Sequence, residues 1–386
     1  MPAYGGWLMA EKARYGTLYL QGPRKENIAV GFTRRALHPK QPGTAVIQYR
    51  RFRGMGQRRA VVAGAGGFIG HHMVNYLKDR DYWVRGVDIK EAEYEPTAAD
   101  EFLILDLREY DNCLQAANDV HEVYQLAADM GGIGYITANH AEVARNNVLI
   151  NAHMLESARV NGAERHFYSS SACIYPMYLQ TSPDVKPLKE DDAYPADPEE
   201  GYGWEKLYAE KLCQYYTEEG KIETRVARFH NIYGPLGTYE GGREKAPAAI
   251  CRKVALTPDG GEIEVWGDGL QTRSFMHVND CVEGIFRLMQ SDHSQPLNLG
   301  TDELVSVDRL VDMVAKIAGK TIEKRHDVSK PQGVRGRNSD NSKLWEILAW
   351  KPAMSLEEGL RSTYRFIESE LEKAGRIDAS PVGAAS

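Results

Sequence analysis

The sequence is poor in the residues that staple, span or attract. Five cysteines in 386 residues, Cys113, Cys173, Cys213, Cys251 and Cys281, are scattered, odd in number and free of any CxxC pair. That excludes a disulfide framework and a cysteine-based zinc site, so no metal is expected and a reducing compartment, the cytoplasm, fits best. No apolar run approaches the ~18 residues that a membrane helix needs, and no membrane association is expected. Cationic residues are outnumbered: 47 Lys and Arg face 54 Asp and Glu, a net charge of −7. Such a balance argues against bulk attraction to nucleic acid, and any anion site has to be built locally. What is present, 42% hydrophobic and 26% charged residues, is the composition of a soluble globular protein.

Residues 1–54 stand apart, with ten basic residues against Glu11 and Glu26 and no sustained periodicity. The segment has neither the apolar core of a secretory signal nor the serine enrichment of a transit peptide. Met55 precedes the first convincing strand, so the segment is expected either to lie upstream of the real start or to form a disordered arm.

From residue 58 short apolar strands alternate with helical segments. The pattern predicts strands at 59–63, 83–88, 102–105, 122–126, 165–169 and 223–228, and helices at 68–79, 110–117, 137–161 and 202–216. This is an α/β chain: a Rossmann-type, doubly wound parallel sheet over residues 55–230. A smaller mixed α/β C-terminal substrate lobe is expected over 231–372, with a tail at 373–386.

Gly64-Ala65-Gly66-Gly67-Phe68-Ile69-Gly70 joins the first strand to the first helix, the context in which a glycine-rich loop binds a dinucleotide. Glycine permits the tight turn, and the helix N-terminus offers free N–H groups to a pyrophosphate. Asp88, closing the second strand, can accept hydrogen bonds from the adenosine ribose and would repel a 2′-phosphate, which predicts NAD over NADP even with Lys90 nearby. Asp106 follows the third strand, where it reaches an adenine edge or merely acts as the N-cap of the turn beginning at Leu107.

Tyr202 and Lys206 are four residues apart, on one face of a helix, and Ser171 follows the end of the fifth strand, where open α/β sheets bind ligands. A phenol is a poor base at neutral pH, but a neighbouring ammonium and the nicotinamide charge favour phenolate. Together these residues can remove a hydroxyl proton.

With Gly64, Gly67 and Gly70 in the loop and Ser171 and Tyr202-xxx-Lys206 beyond it, the chain resembles the extended short-chain dehydrogenase/reductase superfamily, the NAD-dependent epimerases and dehydratases, from about residue 58 to 372. The resemblance implies a nucleotide-sugar substrate and a homodimer. The Asp-Glu pair that follows a threonine in the dehydratases is missing here. Further blocks are similar to the branch that epimerises GDP-mannose: residues 126–132, 171–173, 231–235, 241–247, 267–275 and 333–340.

What that branch implies is transient oxidation at C4 by tightly bound NAD, proton exchange at C3 and C5, and re-reduction, giving GDP-L-galactose and also GDP-L-gulose. Inversion requires a base and an acid on opposite ring faces, roles that the resemblance gives to Cys173 and Lys245. It also implies substrate contacts at Gly131, Asn231, Glu244, Ala246 and Gln271, and diphosphate contacts at Lys253, Arg273, Arg335 and Arg337. Gly131 can instead simply shape a turn, Asn231 cap a helix, and the basic residues be surface charge. Competing readings are another NAD-dependent nucleotide-sugar epimerase, such as a UDP-sugar 4-epimerase, and a non-catalytic NAD-binding protein.

Overall fold

A run such as Arg59–Ala63, buried from its second residue onward, suits a strand covered on both faces. In the computed structural model, which describes residues 56–330 and 332–378, it is β1, near the centre of a sheet. The strands that follow are β2 (Trp83–Asp88), β3 (Glu101–Ile104), β4 (Glu122–Gln125), β5 (Arg165–Ser171) and β6 (Glu223–Phe229). Eight shorter or later strands follow in the described residues: β7 (Ile232–Tyr233), β8 (Glu262–Trp266), β9 (Thr272–Arg273), β10 (Met276–His277), β11 (Leu297–Leu299), β12 (Val305–Ser306), β13 (Glu323–Asp327) and β14 (Gly336–Arg337).

Seven strands form one sheet in the order β11-β6-β5-β4-β1-β2-β3, every neighbouring pair parallel. Strand order reverses between β1 and β4, so a crevice opens at the carboxyl ends of these strands. The helices are α1 (Phe68–Lys78), α2 (Tyr110–Ala116), α3 (Ile133–Ala138), α4 (His140–Val160), α5 (Tyr202–Glu218), α6 (Ala246–Leu256), α7 (Val278–Gln290), α8 (Val307–Ala318), α9 (Ser342–Leu348) and α10 (Leu356–Lys373). On one face of the sheet, α1 and α7 bury Met73, Leu77, Cys281 and Ile285. On the other, α2, α4 and α5 bury Cys113, Met154, Leu155 and Cys213. A third core, with Cys251, Leu310 and Leu360, joins α6, α8 and α10. Among the described residues no helix is long and apolar enough to cross a membrane.

Three features depart from the expected elements. The helix expected over 137–161 is two, α3 and α4, broken at Asn139, whose side-chain amide donates to the Tyr135 carbonyl at 2.9 Å. β5 continues two residues further than expected, because Ser170 and Ser171 pair with Arg228 and Phe229, so Ser171 ends the strand itself. The last strand of the sheet, β11, comes from beyond residue 231. The expectations for residues 1–54, and for the tail beyond residue 378, lie outside the described residues.

The turn from β1 into α1 is sterically closed. Gly64 has φ +85°, and a Cβ on Gly70 would meet the Gly64 carbonyl oxygen at 2.0 Å. The obstacle is backbone, so it cannot rotate away. Gly70→Ala is therefore expected to open the turn, lowering the urea midpoint and NAD affinity together, the latter by at least ~10-fold; unchanged NAD affinity in a titration would refute it.

Candidate active site

One cleft of about 590 Å³ lies at the carboxyl ends of β4, β5 and β6, under residues from the α6 entrance and from β8, β9 and β14. That is a size suited to a small organic ligand. Ser171, Cys173, Tyr202, Lys206, Asn231, Glu244, Lys245, Ala246, Lys253, Gln271, Arg273, Arg337, Gly131 and Ile69 all line it. Arg335 does not: its guanidinium is paired with Asp268 at 3.0 and 3.1 Å.

Tyr202 opens α5 and is buried, its phenol interacting with Ser171. Ser171 Oγ also accepts the Cys173 N–H at 3.1 Å, which fixes the hydroxyl between tyrosine and cysteine. One turn later, Lys206 donates from Nζ to the Ser169 carbonyl at 3.0 Å and sits 5.4 Å from the centre of the Tyr202 ring. Burial pushes the phenol well above its ordinary value and the Lys206 ammonium below its own. Both shifts run toward the neutral forms, and an added positive charge beside the phenol would act against that on Tyr202.

Beneath this pair, Glu205 accepts from the amides of Asn147 at 2.9 Å and Asn151 at 3.2 Å. Asn147 also accepts the Asp129 N–H at 2.6 Å and so ties this buried carboxylate to the loop that carries Gly131. A Cβ on Gly131 would strike the Tyr135 ring at 2.9 Å, so the glycine is a packing requirement as well as part of the wall.

Cys173 is half-buried in the short helical turn that follows β5, and Nη1 of Arg337 lies 3.4 Å from its Sγ. Burial and the neighbouring Glu199 carboxylate nevertheless push the thiol up, against the pull of Arg337. Lys245 precedes α6, and burial pushes its ammonium down. Arg337, expected at a diphosphate, spends its guanidinium on Glu199, on Gln180 at 2.6 Å and on Cys173. Arg273 differs: burial and the adjacent Arg337 push its guanidinium down to about 10, which leaves a cation in want of an anion.

The remaining contacts are partly engaged. Glu244 is paired with Arg252 at 3.4 Å, Lys253 donates to the Glu264 carbonyl at 2.7 Å, and the Asn231 amide donates to the Ser274 carbonyl at 2.9 Å. Asn231 has φ +48° and caps no helix. Gln271 donates to the Trp266 carbonyl at 2.8 Å, while its buried Oε1 has no partner.

The glycine loop fits a dinucleotide. A Cβ at Gly66 would lie 2.3 Å from the Lys90 carbonyl oxygen, and no side chain caps the α1 N-terminus, so its first-turn N–H groups are free for a phosphate. Phe68, Gly66 and Gly67 border a second, small cavity beside Lys90 and Tyr94. Asp88 accepts the Gly66 N–H at 2.9 Å and the Ile89 N–H at 2.7 Å, which locks loop to strand, and Lys90 is paired with Glu93 at 3.0 Å. Asp106 is bound to Arg108 through both oxygens and accepts its N–H at 3.0 Å, capping the turn that begins at Leu107, while Glu109 precedes α2.

Glu199, Glu205 and the two asparagines escaped sequence reasoning. Glu199 and Glu205 flank Tyr202 in an ordinary-looking acidic stretch, and only folding brings Asn147 and Asn151 of α4 against Glu205 and Arg337 against Glu199.

The chain belongs to the NAD dependent epimerase/dehydratase family, whose model matches residues 60–300. Among its relatives, the GDP-mannose 3,5-epimerase 1 of Oryza sativa subsp. indica is 49% identical over 82% of this chain and 83% of its own. The GDP-mannose 3,5-epimerase of Arabidopsis thaliana is likewise 49% identical, over 81% and 82%. Of solved structures, the UDP-glucose 4-epimerase of Thermotoga maritima with UDP-glucose superposes with a TM-score of 0.74 at 25% identity, covering 81% of this chain and all of that one. MoeE5 in complex with UDP-glucose and NAD does so with 0.69 at 28% identity, covering 81% and 99%.

Burial raises the Glu205 carboxyl to about 7, against the attraction of Lys206. Its folded value thus exceeds its unfolded one of ~4.3, so the stability it lends is full below that pH and is lost as pH rises through about 7. Glu205→Gln removes this dependence. Urea unfolding from pH 4.5 to 8 should show the variant gaining on the native protein by on the order of 3 kcal/mol; a difference independent of pH would refute the buried, titrating carboxyl.

Proposed function

We propose that the chain is an NAD-dependent epimerase that converts GDP-D-mannose to GDP-L-galactose, with GDP-L-gulose as the product of inversion at C5 alone. The observation that carries this reading is one cleft holding both Ser171, Tyr202 and Lys206 and the pair Cys173 and Lys245. A simple 4-epimerase needs the first set and has no use for the second. The 49% identity to relatives named for this reaction supports the same choice.

The chemistry follows from the residues. Tyr202 takes the proton of the C4 hydroxyl, and Ser171 holds the same oxygen. Lys206 would bind the nicotinamide ribose, while Gly64, Gly67, Phe68, Ile69, Gly70 and Asp88 would hold the rest of the cofactor. NAD, when bound, would supply the two-electron acceptor and donor for C4. A ketone at C4 acidifies the hydrogens at C3 and C5, because the carbanion left by proton loss is delocalised onto oxygen. Cys173 removes such a proton from one face, and Lys245, whose ammonium burial makes more acidic, returns one to the other. No net redox change results.

Arg273, Lys253 and the uncapped N-terminus of α6 are suited to the diphosphate, and the unpartnered Oε1 of Gln271 to a nucleoside donor. Glu244 and Ala246 border the sugar at the α6 entrance. In this reading residues 55–230 chiefly hold the cofactor and 231–372 the nucleotide-sugar. A homodimer in the cytoplasm is part of the same reading; Trp204, Tyr208 and Tyr215, exposed along α5, supply an apolar face for it.

In deuterated water, the native protein should wash label into C3 and C5 of GDP-mannose, followed by NMR. Cys173→Ala should lose at least ~100-fold in that exchange, the scale of general acid–base catalysis. Full exchange in this variant removes Cys173 from the mechanism, and turnover of UDP-glucose instead of GDP-mannose refutes the substrate.

A further inference from the structure

The thiol of Cys173 is one corner of a closed triangle. Nη1 of Arg337 lies 3.4 Å from Sγ, Nη2 of the same guanidinium is hydrogen-bonded to Glu199, and the Glu199 carboxylate in turn acts electrostatically on the thiol. Backbone contacts fix the geometry: the Glu199 N–H donates to the Cys173 carbonyl at 3.0 Å, and its carbonyl accepts the Gly203 N–H at 2.8 Å. Gln180 holds Nε of Arg337 from behind. Glu199 and Arg337 both line the cleft and are largely buried.

A guanidinium alone beside a thiol would favour thiolate. Here a carboxylate cancels most of that charge and stands within reach of the proton. We propose that Glu199 is the positioning residue that receives the Cys173 proton, so that the thiol rests protonated and is converted to a base only by transfer within the triangle. This rests on the epimerase reading. In the transfer the S–H bond breaks, an O–H bond forms on Glu199, and the electron pair stays on sulfur opposite Arg337. The thiolate then takes a proton from the sugar: a C–H bond breaks, S–H forms again, and the pair passes into the enolate. Lys245 protonates the opposite face, after which Glu199 releases a proton to solvent and Lys245 regains one. The remaining charged or titratable groups that act on Cys173, or on which it acts, are Tyr202, Lys206, Lys245 and Arg273.

The test uses the full chain with NAD bound and two readouts. The first is the pH profile of Cys173 alkylation by iodoacetamide, followed on the Cys173 peptide by mass spectrometry, which needs no substrate. The second is deuterium wash-in at C3 and C5 of GDP-mannose. In Glu199→Gln the alkylation midpoint should move down by at least about one pH unit, because Arg337 is no longer neutralised. Exchange should at the same time fall by at least ~10-fold, since the proton acceptor is gone. A more reactive thiol in a slower enzyme is the signature, and loss of structure alone does not produce it. A midpoint that stays or rises, or exchange at the native rate, overturns the proposal. Should Glu199→Gln not fold, the native profile decides: its midpoint should lie above the ordinary ~8.5 of a free thiol, and one at or below that value overturns the proposal. If the native protein exchanges no label with GDP-mannose, the substrate reading fails, and the alkylation profiles still judge the triangle.

Discussion

Seven parallel strands ending along one edge constrain everything else in this molecule. A parallel sheet has to be covered on both faces, so each crossover carries a helix away and returns at the other end. The strand ends that remain uncovered lie where the order reverses, between β1 and β4. The glycine turn after β1, the Gly131 loop after β4, Ser171 at the end of β5 and Asn231 after β6 meet there for that reason. The residues are distant in sequence, yet their meeting needs no special interaction beyond the topology.

Buried polar groups then fix which side chains stay in place. Arg228 of β6 pairs with Glu210 of α5 at 2.8 Å and donates to the Glu190 carbonyl at 2.7 Å. Ser170 bonds the same Glu210, and Tyr175 donates to Asn298 of β11 at 2.6 Å. Such groups are costly to desolvate, and breaking one pair strands the other charge. They hold β5, β6, β11 and α5 in one register, so Ser171 and Tyr202 sit on well-braced elements.

Desolvation also dominates the site's chemistry. It raises Tyr202, Cys173 and Glu205 and lowers Lys206, Lys245 and Arg273, in each case toward the neutral form. Groups poised in this way act when a bound charge arrives, because an added cation or anion is felt strongly where water is excluded. The arrangement therefore favours residues that work in pairs: phenol with ammonium, thiol with carboxylate.

Local rules made much of this legible in the sequence. The glycine loop, the Tyr202-xxx-Lys206 spacing and the alternating apolar segments each reflect interactions within a few residues, so strand and helix limits up to β6 are readable to within a few residues, save at Asn139, whereas the short elements beyond it are not. The roles of the arginines were not. Arg335 and Arg337 are two residues apart and chemically alike, but pairing β14 with β9 turns Arg337 into the cleft toward Glu199 and leaves Arg335 to Asp268. Residues two apart on a strand would share a face, so the difference comes from Arg335 lying just before β14, where Asp268 takes its guanidinium. The sequence by itself determined the dinucleotide turn and the tyrosine-lysine pair, because helix and turn geometry are local. Only the tertiary structure decided what surrounds Cys173, because Glu199 and Arg337 come to it across 26 and 164 residues of chain.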